Sequence, residues 1–249
     1  MECYLMLGDC LEKMKGLPDE SVDMILTDPP YGTTKCKWDT VIDLELMWEQ
    51  LKRVIKPGGA IVMTASQPFT SVLVSSHIKG FKHEWIWEKN RGSNFAVAKY
   101  QPLKEHESVI VFSKKGEKVC YYPIKQHRKG TGPEKVKYAC NGSNTGKRDV
   151  YSGFVDNRKG ARISVMRNPS TVQKFNTQVG LHPTQKPVAL MEYLIKTYTL
   201  EQETVLDFAM GSGTTGVASQ NLNRNFIGIE LDETYFNVAE KRLKENYRQ

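Results

Sequence analysis

Val22-Asp23-Met24-Ile25-Leu26-Thr27-Asp28-Pro29-Pro30-Tyr31 joins a short apolar-biased run to a proline-stiffened tetrapeptide. The run predicts a buried strand over Val22–Thr27. Pro30 carries no N–H, and each proline disfavours helix in the residue before it, so the strand stops and the chain emerges extended. A carboxylate, a backbone carbonyl and an aromatic face then stand at a strand's carboxyl end, where open α/β sheets bind ligands. Asp28 and the Pro29 carbonyl can both accept hydrogen bonds from an amino group, and Tyr31 can stack on a planar ring. The set suits the exocyclic amine of a nucleobase. Four residues alone fit equally a proline-rich turn with an incidental Asp and Tyr.

On both sides of this stretch, strand and helix alternate at short spacing. A strand over residues 4–7 ends at Gly8-Asp9, and a helix follows over residues 10–15. Residues 32–40 are polar and rich in structure breakers. Leu44, Met47, Trp48, Leu51, Val54 and Ile55 recur at helical spacing, which predicts an amphipathic helix over 43–55 with Asp43 as its N-cap. Lys56-Pro57-Gly58-Gly59 predicts a break, followed by a strand over 60–64. A helix over 69–77 and strands over 83–87 and 108–112 follow, with a polar, irregular stretch from 91 to 106. The alternation resumes after His182 with a helix over 187–198, a strand over 204–207, a glycine loop and a helix to 222. A strand over 226–230 and a helix capped by Asp232 complete it. This order predicts an α/β fold with a mostly parallel sheet covered by helices on both faces.

Composition narrows the class. The chain has 249 residues, 39% of them hydrophobic, enough for an ample core. It contains no apolar run of membrane-spanning length and no basic-then-apolar leader pattern, so cytoplasmic residence is expected. The five cysteines form no C-x-x-C pair and the five histidines are scattered, so reduced thiols and no metal are expected. The net charge of +7 is unevenly placed. Residues 114–178 hold 15 Lys and Arg against 4 Asp and Glu, whereas the rest of the chain holds 20 against 24. The same segment interleaves Tyr121, Tyr122, Tyr138, Tyr151, Phe154 and Phe175. Basic residues with stacking-capable aromatics point to nucleic-acid contact.

The glycine loop Asp207-Phe208-Ala209-Met210-Gly211-Ser212-Gly213-Thr214-Thr215-Gly216 lies between a strand and a helix. Gly211, Gly213 and Gly216 spell G-x-G-x-x-G, and Glu230 ends the next strand, where it can accept from ribose hydroxyls. Read literally, this is a dinucleotide fingerprint. S-adenosylmethionine binding uses the same geometry. An acid at Asp207 is unfavourable beside a pyrophosphate and favourable beside an ammonium, which inclines the loop towards S-adenosylmethionine without excluding a dinucleotide.

Three segments coincide: Asp28-Pro29-Pro30-Tyr31, His182-Pro183-Thr184-Gln185-Lys186-Pro187 and Asp207–Thr215. Together they resemble the amino-group DNA methyltransferases. With the catalytic motif first and the cofactor loop last, their order is similar to the β class of that family, a circular permutation of the usual order. The resemblance implies a Rossmann-like, S-adenosylmethionine-dependent methyltransferase fold with a seven-stranded, mostly parallel sheet. It implies a catalytic half over 1–113, an inserted target-recognition region over 114–178 and a cofactor-binding half over 179–249. Asp28 and the Pro29 carbonyl would hold the target amine, with Pro30 stiffening the turn and Tyr31 stacking on the extruded base. Asp9 would face the cofactor's adenine and Glu230 its ribose, with Asp207 beside its ammonium. His182 and Lys186 would lie at its methionine end, and Phe208, Gly211, Ser212, Gly213 and Thr214 form the cofactor loop. The implied partner is double-stranded DNA, with homodimer formation common in the family. An aspartate opening the tetrapeptide inclines the product to adenine-N6 over cytosine-N4. RNA or a protein amide as substrate, a catalytically silent DNA-binding module and a nicotinamide oxidoreductase are the competing readings.

Overall fold

The computed structural model describes residues 1–32, 39–127, 166–178, 180 and 185–247. The chain divides into two compact units, Met1–Tyr122 with Ser170–Gln249, and Pro123–Pro169. In the second unit the described residues form an antiparallel pair between β6 (Gln126–His127) and β7 (Met166–Arg167).

The first unit is built on one sheet. Its strands are β1 (Cys3–Leu7), β2 (Val22–Thr27), β3 (Ile55–Ala65), β4 (Phe81–Ser93), β5 (Lys104–Phe112), β8 (Val172–Lys174), β9 (Thr204–Asp207) and β10 (Asn225–Glu230). They lie in the order β1-β10-β9-β2-β3-β5-β4-β8. β5 runs antiparallel to both neighbours, and the other pairings are parallel. The helices are α1 (Cys10–Lys15), α2 (Leu44–Val54), α3 (Phe69–Ser76), α4 (Val188–Tyr198), α5 (Thr214–Asn221) and α6 (Glu233–Asn246).

Successive strand residues point to opposite faces, and the core follows that period. Ile25, Ile61, Met63, Ile110 and Phe112 meet Met14, Trp48, Leu51 and Leu73 of α1, α2 and α3 on one face. Met24, Leu26, Val62, Val109 and Val111 meet Leu190, Leu194 and Tyr198 of α4 on the other. Asp9, Asp43 and Asp232 cap α1, α2 and α6, each accepting from two backbone N–H groups of the first turn.

Three sequence expectations are corrected. Among the described residues the sheet has eight strands instead of seven, because Val172–Lys174 from the basic segment pairs with Ile86–Glu88 at the edge. The expected break at residues 56–59 lies inside β3. Val22 pairs with Ile55 and Met24 with Ala60, so the intervening residues bulge out of the ladder, where proline and glycine are tolerated. A Cβ on Gly59 would stand 2.8 Å from the Asp23 carbonyl, which leaves no room for a side chain there. Finally, the polar stretch from 91 to 106 is strand at its two ends, 91–93 and 104–106, and irregular between them around a 3-10 turn at Phe95–Val97. β4 and β5 extend into a hairpin arm whose pairing reaches Ser93 and Lys104, and half-solvated antiparallel strands carry polar residues without penalty.

The third glycine of the loop motif serves packing. A Cβ on Gly216 in α5 would lie 2.7 Å from Phe226 and 2.8 Å from Leu243, so α5 sits directly on β10 and α6. Gly216→Val is expected to destabilise the fold by about 1–3 kcal/mol through overpacking. A urea midpoint equal to or above that of the unaltered chain would contradict this packing account.

Candidate active site

The parallel strands deliver their carboxyl ends to one edge of the sheet. β2 leads on to β3 on one side and β9 to β10 on the other, so the β2/β9 boundary is the switch point at which a crevice opens. Thr27 Oγ1 donates to Asp207 Oδ1 across it at 2.7 Å. β5 is antiparallel, so its N-terminal end, with Glu107, lies at this same edge, and so does Lys89 near the end of β4. A cavity of about 440 Å³ runs along the edge, lined by Asp9, Asp28, Asp207, Glu230, Lys186 and Glu107 among others.

Asp28 is the most heavily engaged group. Its Oδ1 accepts from the Tyr31 hydroxyl at 2.6 Å and from the Thr64 hydroxyl, and the two hydroxyl oxygens lie 3.0 Å apart. Its Oδ2 accepts from Lys186 Nζ at 2.5 Å. A carboxylate offers about four lone-pair sites, so one acceptor position, on Oδ2, is left unfilled by the described residues. The Pro29 carbonyl, beside it at the cavity wall, takes no hydrogen bond from a described residue. Lys186 also lies 3.4 Å from Glu107 Oε2, and Lys89 holds Glu107 Oε1 at 2.5 Å. Burial alone would lower the Lys186 pKa, but Asp28 and Glu107 outweigh it and raise it. For Glu107, burial pushes the pKa up, and the two lysines bring it below the usual value.

The Tyr31 ring stacks on Phe69 with centroids 5.3 Å apart, and its backbone N–H donates to Asp39 Oδ1. Burial, reinforced by the Asp28 charge, holds the Tyr31 hydroxyl protonated well above its ordinary range.

At the other end of the cavity, Asp207 is fully buried, and its pKa is pushed up to about 6, first by burial. The hydroxyls of Thr215 and Thr27 and the Ala209 N–H oppose that rise. Glu230 accepts from Gly211 N–H at 2.8 Å and Asp232 N–H at 2.9 Å, which ties the glycine loop to β10. Burial raises its pKa as well. Gly211 and Gly213 have φ values of 51° and 77°, left-handed conformations that favour glycine. Asp9 Oδ1 accepts from Leu11 and Glu12 N–H at the cavity wall.

Of the residues singled out from sequence, Asp9, Asp28, Pro29, Pro30, Tyr31, Lys186, Asp207, Phe208, Gly211, Ser212, Thr214 and Glu230 all line this cavity. Gly213 stands within the same loop and forms the N-cap of α5. His182 lies outside the described residues. Lys186, expected at the cofactor's methionine end, is found on Asp28 and Glu107. Sequence reasoning missed Thr27, Thr64, Glu107 and Lys89. Their signal was a polar residue at the site-facing end of an apolar strand.

A family model described as a DNA methylase, of the N6/N4 methyltransferase type, matches residues 22–241. The chain belongs to this family. Type II methyltransferase M.HpaI of Haemophilus parainfluenzae is 28% identical over 260 residues, which span 99% of this chain and 76% of that protein. Type II methyltransferase M.HinfI of Haemophilus influenzae is 29% identical, over 97% of this chain and 68% of its own. The crystal structure of the M1.HpyAVI–SAM complex superposes with a TM-score of 0.64 at 29% identity, covering 97% of this chain and 100% of that one. The cytosine-N4-specific PvuII DNA methyltransferase shares the fold, with a TM-score of 0.64 at 16% identity over 100% of this chain and 92% of its own.

The methyltransferase's cofactor is S-adenosylmethionine. The residues present fit it. Asp207 is a buried carboxylate with hydroxyl and amide partners but no cation among the described residues, which an ammonium complements and a pyrophosphate would repel. The same contrast sets the dinucleotide alternative aside.

Thr27→Val tests the electrostatics of the crevice. A carboxyl whose pKa is raised on folding contributes most to stability below its unfolded value, and that contribution is lost as pH rises through about 6. The Thr27 hydroxyl supports the ionised form, so removing it is expected to cost about 1–3 kcal/mol at pH 8 and less at pH 5. Urea unfolding at the two pH values measures the difference, and an equal cost at both would show that Asp207 is not the group concerned.

Proposed function

We propose that this DNA methyltransferase transfers a methyl group from S-adenosylmethionine to the N6 amino group of adenine in double-stranded DNA. The observation that supports the reading is the acceptor position of Asp28 that no described residue fills, which stands beside the Pro29 carbonyl, likewise without a described donor, in a cavity continuous with Asp207 and Glu230. An amine stacked inside a duplex cannot reach that position, so the base is extruded, at a cost of a few kcal/mol. Asp28 and Pro29 orient the amine and stabilise the positive charge that develops on nitrogen. Phe69 covers one face of Tyr31, so the base stacks on the other.

When bound, S-adenosylmethionine supplies an electrophilic methyl group on a sulfonium. In this reading Asp207 holds its ammonium, Glu230 its ribose hydroxyls and Asp9 its adenine. Phe208 and the loop from Gly211 to Thr214 pack along it, with His182 at its methionine end. The basic segment 114–178 reads the target sequence, most of it beyond the described residues. Cytosine-N4 is the second reading, because the acceptor pair suits either amine, and the opening Asp28 inclines the choice to adenine.

Methyl transfer from labelled S-adenosylmethionine to unmethylated DNA, with the product nucleosides identified by mass spectrometry, decides between the bases. N6-methyladenine is the expected product, and N4-methylcytosine would replace it while leaving the mechanism in place. Asp28→Ala is expected to abolish transfer and to leave cofactor affinity largely intact. A near-normal rate in that variant would remove Asp28 from the reaction.

Cofactor binding should also depend on pH. An ammonium beside Asp207 favours the ionised carboxylate, so binding releases a proton where the free group is still protonated. Affinity is expected to rise from pH 5 to 7 and then level off, with the midpoint near the free carboxyl's pKa of about 6. Calorimetric titrations in buffers of different ionisation enthalpy would reveal the proton, and a flat profile would place the ammonium elsewhere.

A further inference from the structure

Lys186 is 6% exposed and lines the same cavity as Asp28 and Glu107. An ammonium has three N–H donors. Two face carboxylates, Asp28 Oδ2 at 2.5 Å and Glu107 Oε2 at 3.4 Å. Among the described residues no acceptor takes the third, and the Tyr31 ring centroid stands 5.7 Å away. The open acceptor position of Asp28 and a spare donor of Lys186 are therefore neighbours on one cavity wall.

We propose that Asp28 and Lys186 act as a paired acceptor and donor that reads the edge of the extruded base, the amine donating to Asp28 Oδ2 and the adjacent ring nitrogen accepting from Lys186 Nζ. This deepens the reading of Asp28 as the amine acceptor and rests on it. In adenine the 6-amino group is flanked by the N1 lone pair, and in cytosine the 4-amino group is flanked by N3. The two base nitrogens are two bonds apart, roughly 2.3 Å from standard C–N lengths. That separation is close to the 2.5 Å between Oδ2 and Nζ, so two nearly parallel hydrogen bonds can form at once, with the orientational precision of a bidentate contact. On its Watson–Crick edge guanine places an N–H beside its amine, which would oppose the ammonium, and thymine has no amine. The pair therefore accepts the two bases that carry this edge and rejects the other two.

The surroundings keep the donor in place. Asp28, Lys186, Glu107 and Lys89 alternate in sign along a chain of contacts, so the buried ammonium is flanked by carboxylates on both sides. A cationic donor on the ring nitrogen draws electron density from the amine. Lys186 thus selects and aligns the base, and the amine gains no reactivity from it.

The test uses a duplex carrying the target site, located beforehand by sequencing methylated plasmid DNA. The target adenine is replaced by 1-deazaadenine, which lacks the N1 acceptor, or by 3-deazaadenine or 7-deazaadenine, which retain it. With the full chain, 1-deazaadenine is expected to lose about 10- to 100-fold in kcat/KM, the range of a hydrogen bond to a charged group, and the other analogues no more than about threefold. In Lys186→Met, 1-deazaadenine and adenine are expected to react equally, with S-adenosylmethionine affinity retained. Wild-type transfer to 1-deazaadenine at the rate of adenine would overturn the proposal, as would undiminished discrimination in Lys186→Met. If that variant does not fold or turns over too slowly, the wild-type ranking of the three analogues decides alone. Were the product N4-methylcytosine, 3-deazacytosine takes the place of 1-deazaadenine. Failure to methylate any unmodified DNA would strike instead at the reading of Asp28.

Discussion

The parallel pairing of β2 with β9 is the constraint on which the site depends. The two strands lie about 180 residues apart in the chain, yet Met24 pairs with Val205 and Ile25 with Leu206. That register sets Thr27 one residue beyond the level of Asp207, within reach of its carboxylate, and projects Asp28 and the glycine loop from adjacent strand ends. A slip of one residue would turn both strands' core residues to the wrong face, and the two helical layers prevent it by burying opposite sets. The crevice is thus a by-product of core packing, and its chemistry is added where the strands stop.

Charge is distributed in that crevice by a simple rule. On the side of β9 and β10 the buried carboxylates of Asp207 and Glu230 are supported by hydroxyls and amides, and their pKa values are raised. On the side of β4 and β5 the carboxylates meet lysines, and Glu107 is held below its usual value. One end therefore favours a cation, and the other is already neutralised and can receive an uncharged ring. Isolated buried ion pairs seldom repay their desolvation. Here the alternation of charges surrounds each ion on both sides.

Much of this was legible in the sequence. The boundaries of β2, α1 and β9, and the capping roles of Asp43 and Asp232, follow from short-range patterns: apolar runs, turn residues and helix-starting acids. The tetrapeptide and glycine loop declared themselves because proline and glycine restrict or free the backbone in ways that few other contexts require. What remained hidden depends on pairing across the chain. Val172–Lys174 is three residues long with no alternation, and it becomes a strand only because the edge of β4 offers hydrogen bonds. The bulge in β3 looked like a termination because proline and glycine give the same local signal for both. The engagement of Lys186 by Asp28 could not be read at all, since the two residues lie 158 positions apart and the ammonium has several chemically reasonable partners.

The chain leaves the first unit after Tyr122 and re-enters it at Ser170, and both crossing points are anchored. Tyr122 N–H donates to the Thr197 carbonyl, and β8 hydrogen-bonds to β4. Among the described residues, none from 123 to 169 contributes to the buried clusters on either face of the sheet. The described residues of that excursion, 123–127 and 166–169, thus add nothing to those clusters. Variation at those described positions therefore leaves the two packed faces of the sheet as they are, and the core can be inherited while they change.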